Sequence, residues 1–195
     1  MNVIGLAGKP GCGKSAVARR LAERDRVEWI DLDRLAWEIY RPGSAVHRRL
    51  VERFGEGILH RDGRIDRGRL AERVFDAPEG RADLEAIVHP AIMDALRAEI
   101  DEYERNGAAV LLVEGAVLLH SPHVDRSIFD RLVWFDVSDD VRIERLRSAG
   151  RPGQVGRVPD PPGASFRGVD RLSADGTIDD VADRLIGLIG EPPAI

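Results

Sequence analysis

The chain has 195 residues, 43% of them hydrophobic and 32% charged, with a formal net charge of −5. That length suits one domain with room for an insert, and the composition excludes a disordered chain, which would hold fewer apolar residues and more net charge. A pI near 5.6 argues against a nucleic-acid partner, which calls for a basic face, and a single cysteine rules out an internal disulfide and suits a reducing compartment.

Residues 2–7, Asn-Val-Ile-Gly-Leu-Ala, are a short apolar run closed by glycines and read as a buried strand. Gly8-Lys-Pro-Gly-Cys-Gly-Lys-Ser15 follows, then 16–22 at helical spacing. Val27–Asp31 reads as a second strand leading into the acidic pair Asp31 and Asp33. From 34 to about 106 the pattern is helical, punctuated by Pro42-Gly43, Gly55, Gly57, Asp62-Gly63, Pro78 and Gly80. Strands are expected at 109–113 and 132–137; the longest apolar run, 108–113, is far too short to span a bilayer. The chain opens with no leader-like pattern, so no membrane partner is expected. A charged helix over Asp139–Ser148 precedes 150–168, a stretch crowded with Pro and Gly that reads as a loop. A last strand, Val169–Ser173, leads to a helix over Ile178–Ile189 whose Ile178, Val181, Ala182, Leu185, Ile186 and Ile189 share one face. The tail 191–195 is too Pro-rich to order by itself.

Strands alternating with helices predict an α/β fold: a parallel five-stranded sheet flanked by helices, with a long helical insertion. This is a nucleotide-kinase-like layout in a single domain. Its core is 1–35, 107–149 and 168–190, its insertion 36–106, and its short lid-like loop 150–167.

Gly8-x-x-x-x-Gly13-Lys14-Ser15 satisfies the P-loop pattern, between a strand and a helix as its mechanism requires. Gly8, Gly11 and Gly13 let successive amide N–H groups turn inward onto phosphate oxygens. The helix start adds its positive dipole end, bringing Cys12, Ser15 and Ala16 to the same anion. Lys14 is placed to reach the β- and γ-phosphates, and Ser15 to offer a hydroxyl to Mg²⁺. Twenty-seven of the 29 basic residues are arginine, leaving Lys9 and Lys14 as the lysines; where lysine is so scarce, one in that place is rarely accidental. Asp33, just past the second strand, is either a base for an attacking hydroxyl or the cap of the following helix.

Asp31-x-Asp33, Pro42-Gly43, Phe54-Gly55, Asp62-Gly63, Asp66-Arg67, Leu70, Val74-Phe75, Leu84-Glu85 and His89-Pro90 succeed one another as in dephospho-CoA kinases. With the P-loop, this resemblance runs from Asn2 to roughly Ala98. It implies a P-loop kinase fold and ATP-dependent phosphorylation of the ribose 3′-hydroxyl of dephospho-CoA, the last step of coenzyme A synthesis, with the helical insertion holding the acceptor. It implies Asp33 as base, Lys14 as stabiliser of the transition-state charge, Ser15 as a Mg²⁺ ligand, and Arg67 and His89 on the acceptor side. His89 by itself reads as a structural histidine preceding Pro90 at a helix start.

The sequence departs from that pattern in three places. The third strand runs Val113-Glu114-Gly115 into Ala116 without the family's proline; Glu114 can still hold a Mg²⁺-bound water as a Walker B acid does. After Arg145-Leu146, where the family carries a helical lid with an arginine, Pro152, Pro159, Pro161 and Pro162 forbid a regular helix. Arg151, Arg157 and Arg167 are the candidates for that arginine. The resemblance implies Arg145 among the ATP-binding residues and sets Asp175 and Gly176 beside adenine, with Asp175 replacing an asparagine and unable to donate a hydrogen bond. The expected partners are small molecules, ATP and dephospho-CoA, in the cytoplasm, for a monomer or weak homo-oligomer. The alternatives are a kinase for another small hydroxyl acceptor, such as a nucleoside, and a catalytically weak nucleotide-binding regulator.

Overall fold

A computed structural model describes residues 1–151, 153 and 168–191. Its strands are β1 (Asn2–Ala7), β2 (Val27–Asp31), β3 (Val110–Glu114), β4 (Arg131–Asp136) and β5 (Val169–Ser173). Its helices are α1 (Lys14–Leu21), α2 (Leu32–Ile39), α3 (Ala45–Phe54), α4 (Arg67–Asp76), α5 (Gly80–Arg105), α6 (Asp139–Ser148) and α7 (Ile178–Ile189). They form two compact units, one of Met1–Asp31, Ile100–His120 and Arg126–Ile195, the other of Leu32–Glu99 and Ser121–Asp125.

The first unit is a five-stranded sheet in the order β2-β3-β1-β4-β5, every pair parallel. All five residues of β3 are buried and β1 is buried from Val3 onward, because a central parallel strand is covered on both faces. On one face Ile4, Leu6, Leu112, Val133 and Phe135 pack with Val17 and Leu21 of α1 and Leu185 of α7 in one cluster; each such side chain stabilises the fold by about 1.5–3 kcal/mol when fully buried. α7 starts at a capping box, in which Thr177 Oγ1 accepts from the Asp180 N–H and the Asp180 carboxylate accepts from the Thr177 N–H. The parallel order puts the carboxyl ends of all five strands on one edge, where open α/β sheets bind ligands.

In the second unit, α2, α3, α4 and the first part of α5 bury Leu35, Leu50, Ile58, Leu70, Ile87 and Met93. Ser44 caps α3, its hydroxyl accepting from the His47 N–H at 3.0 Å and donating to the Ile39 carbonyl at 2.6 Å. Asp66 caps α4 through the Arg69 N–H. Asp62-Gly63 makes a tight turn between bridged Leu59 and Ile65, with Gly63 at φ 81° where a Cβ would be strained.

Two local expectations are corrected. His89-Pro90 does not open a helix: Pro90 lies inside the 26-residue α5, which begins at Gly80. A proline there leaves the Ala86 carbonyl without its helical donor, and the buried Ile87, Val88, Ile92 and Met93 on either side carry the helix through. Nor is Asp33 a helix cap; α2 starts at Leu32, and Asp33 sits inside its first turn.

Candidate active site

The stretch Gly8–Ser15 leads from β1 into the first turn of α1 at the carboxyl edge of the sheet. Gly13 is the residue before α1 and adopts a left-handed conformation, φ 97° and ψ 4°, with no side-chain cap and no acidic residue in the first turn of the helix. The first-turn N–H groups thus meet no competing side-chain cap, and the helix dipole favours an anion there. Gly11, at φ 85°, has a second reason to be glycine: a Cβ would come within 2.7 Å of the Arg142 carbonyl and 2.9 Å of Leu146 Cγ. Lys14 curls back over the loop, its Nζ donating to the carbonyl of Gly8 at 2.8 Å and of Lys9 at 3.4 Å, with Cys12 Sγ at 3.3 Å. Ser15 and Ala16 follow, half-buried in the first turn, while Cys12 and Gly8 are buried.

α6 braces this loop from the side. The buried Arg142 donates to the Pro10 carbonyl at 3.3 Å and to Asp139 Oδ1 at 2.9 Å. That hydrogen bond, then the charges of Lys9 and Arg142, hold the Asp139 carboxyl below its ordinary range. One turn on, Arg145 donates to the Cys12 carbonyl at 3.4 Å and to those of Ala174 and Gly176 at 3.3 and 3.5 Å. Arg145 and Gly176 flank a cavity of about 320 Å³ with Cys12, Ala16 and Ile178. Asp175 does not line it; its carboxylate accepts from Ser173 Oγ at 3.0 Å.

Glu114 ends β3, buried at 4% exposure and in register with Asp31 on β2. Two carboxylates at one strand edge and the Ser15 hydroxyl are hard oxygen donors of the kind Mg²⁺ prefers. No group of three or more His, Cys, Asp or Glu that could hold a metal occurs among the described residues.

In the second unit, Asp33 is exposed at the start of α2 and in electrostatic contact with Tyr40 and Arg67. Arg67 lies with its guanidinium over the Trp37 ring and 6.0 Å from the centre of the Tyr40 ring. Burial lowers the Arg67 pKa from its ordinary value, against the opposing influence of Tyr40 and Asp33. Burial raises that of Tyr40, with Arg67 pulling it down and Asp33 pushing it further up. His89 lies elsewhere in the unit, its Nδ1 2.6 Å from Ser121 Oγ, which also accepts the His123 N–H.

In the first unit the structure gathers Gly8, Gly11, Cys12, Gly13, Lys14, Ser15, Ala16, Arg145 and Gly176 around one loop and its adjoining cavity, and in the second unit it groups Asp33 with Arg67. His89 and Asp175 join neither. Arg157, Arg167 and most of the expected lid lie outside the described residues. Sequence reasoning passed over Arg142 and Trp37. Arg142 could be suspected only from its i, i+3 spacing to Asp139, Trp37 from being a large apolar residue off the buried Leu32, Leu35, Ala36 face of α2.

A family model described as dephospho-CoA kinase matches residues 2–151. The dephospho-CoA kinase of Geobacter sulfurreducens is 42% identical over 142 residues, 73% of this chain and 72% of its own length. Among solved structures, a Thermus thermophilus protein superposes with a TM-score of 0.76 at 26% identity, covering 99% of this chain and 98% of the other. The dephospho-CoA kinase from Campylobacter jejuni gives 0.64 at 16% identity over 96% and 95% of the two chains, a likeness of fold.

Proposed function

The chain belongs to the dephospho-CoA kinase family, and from that premise we propose that it transfers the γ-phosphoryl group of ATP to the ribose 3′-hydroxyl of dephospho-CoA. The observation that carries the reading is that one family match spans the P-loop and the Asp33 cluster together, over residues 2–151. The loop N–H groups and the α1 start take the phosphates, and the Arg145 cavity takes the base. Asp33 accepts the proton of the 3′-hydroxyl as that oxygen bonds to the γ-phosphorus. The bond from the γ-phosphorus to the bridging oxygen breaks, and ADP leaves. Lys14 exchanges its bonds to Gly8 and Lys9 for phosphate oxygens and offsets the charge gathering there. Ser15 and Glu114 are the residues for Mg²⁺, which when bound neutralises phosphate charge. With small-molecule substrates and a single cysteine, the compartment this reading implies is the cytoplasm.

ADP release from MgATP with and without dephospho-CoA tests the proposal. The expected result is acceptor-dependent ADP with a 3′-phosphorylated product. ADP formed only with a nucleoside overturns the acceptor, and tight ATP binding with no turnover overturns the kinase.

A further inference from the structure

Trp37 is 53% exposed, although the Arg67 guanidinium already covers part of its ring. It lines a cavity of about 280 Å³ together with Tyr40, Pro42, His60 and Arg64. His60 and Arg64 also line a second cavity, of about 410 Å³, whose other walls include Arg61 and Arg69. The two cavities share His60 and Arg64 in their walls, so an aromatic cavity stands beside one lined by guanidinium groups and the Asp62 carboxylate. The Asp62-Gly63 turn holds Arg64 in place, with Arg64 Nε donating to Asp62 Oδ2 at 2.8 Å. Arg69 is fixed by the Leu59 carbonyl at 2.8 Å.

An aromatic face next to several guanidinium groups matches one ligand chemistry well, a flat heterocyclic base attached to a diphosphate. The guanidinium stacked on Trp37 restrains the indole, so it meets a base as a pre-oriented platform. The Trp37–Arg67–Asp33 chain of contacts lies in the same unit, placing the platform and the candidate base in one cluster. We propose that Trp37, with Tyr40, stacks the adenine of the acceptor nucleotide, and that His60, Arg64 and Arg61 receive its 5′-diphosphate. This rests on the reading that the acceptor is dephospho-CoA. In it Trp37 and Arg64 bind the acceptor, and Arg67 is a positioning residue for Trp37.

The full chain is assayed with MgATP and dephospho-CoA. Base stacking is worth about 1–3 kcal/mol, so Trp37→Ala is expected to raise the acceptor KM about tenfold while leaving the ATP KM unchanged, and Trp37→Phe to recover most of the loss. Arg64→Ala is expected to raise the acceptor KM and flatten its dependence on salt. Tryptophan emission provides a second readout that does not depend on Trp37→Ala folding: dephospho-CoA quenches the wild type, and the quench is lost in Trp37→Phe. An unchanged acceptor KM in an active Trp37→Ala, or a full quench in Trp37→Phe, overturns the inference and leaves the reaction standing. Trp37-dependent binding without turnover upholds the inference and removes the reaction. A wild type that neither binds nor phosphorylates dephospho-CoA overturns both.

Discussion

Asp33 and Gly11 represent two kinds of residue in this molecule, one exposed and proposed for chemistry, the other confined by packing. Replacing Asp33 with asparagine keeps shape and removes the proposed proton acceptor. Turnover is expected to fall by about 10²–10⁴-fold with the ATP KM unchanged, as steady-state kinetics would show; equal turnover removes Asp33 as the base. Gly11→Ala drives a Cβ against the Arg142 carbonyl and Leu146 at a positive φ. A loss of about 1–3 kcal/mol in denaturant unfolding is expected, and unchanged stability would mean α6 yields freely. The loop residues are legible in sequence because their geometry is local: a short run of glycines closed by one lysine defines the cradle. Trp37 is not, since its importance comes from Arg67, far along the chain, and no local spacing announces that contact.

At the scale of elements, the strands and helices follow from hydrophobic period, and their ends fall close to the glycines and prolines that punctuate them. The misplaced start at His89-Pro90 marks the limit of such reasoning. Proline reads locally as a boundary, yet burial along α5 outweighs one lost hydrogen bond. The same stretch gives a pH effect. Burial holds the His89 pKa below its ordinary value, Glu85 opposing and the His123 and Arg81 charges adding to the depression. The folded state therefore prefers neutral His89, and the unfolded chain binds the extra proton first. Stability from this group is complete above the unfolded value of about 6.5 and is lost as pH falls below it toward the lower folded value. Unfolding curves between about pH 8 and about pH 5.5 are expected to show wild type losing more stability than His89→Gln; parallel losses would place the sensitivity elsewhere.

Across the whole molecule, parallel pairing was legible from strand and helix alternation, but the order β2-β3-β1-β4-β5 was not, because neighbour choice is decided by which crossovers cover which face. A nucleotide bound to the folded chain alone raises its unfolding temperature by mass action. At about a hundred times its dissociation constant, ATP stabilises by about 2.7 kcal/mol. A thermal shift is expected in the wild type and a much smaller one in Lys14→Ala at the same concentration; equal shifts would move the phosphate grip away from the loop. The uneven choice of basic residues has a practical outcome. Both lysine side chains, Lys9 and Lys14, stand on that one loop, and Lys9 Nζ lies 4.0 Å from Asp139. Acylating reagents, which spare guanidinium groups, therefore find every side-chain amine of the protein in a single place. Apart from the Met1 α-amine, which pairs with Glu104, a general amine label becomes a loop-directed one, and protection from it by a nucleotide can be read by mass spectrometry without any engineered tag.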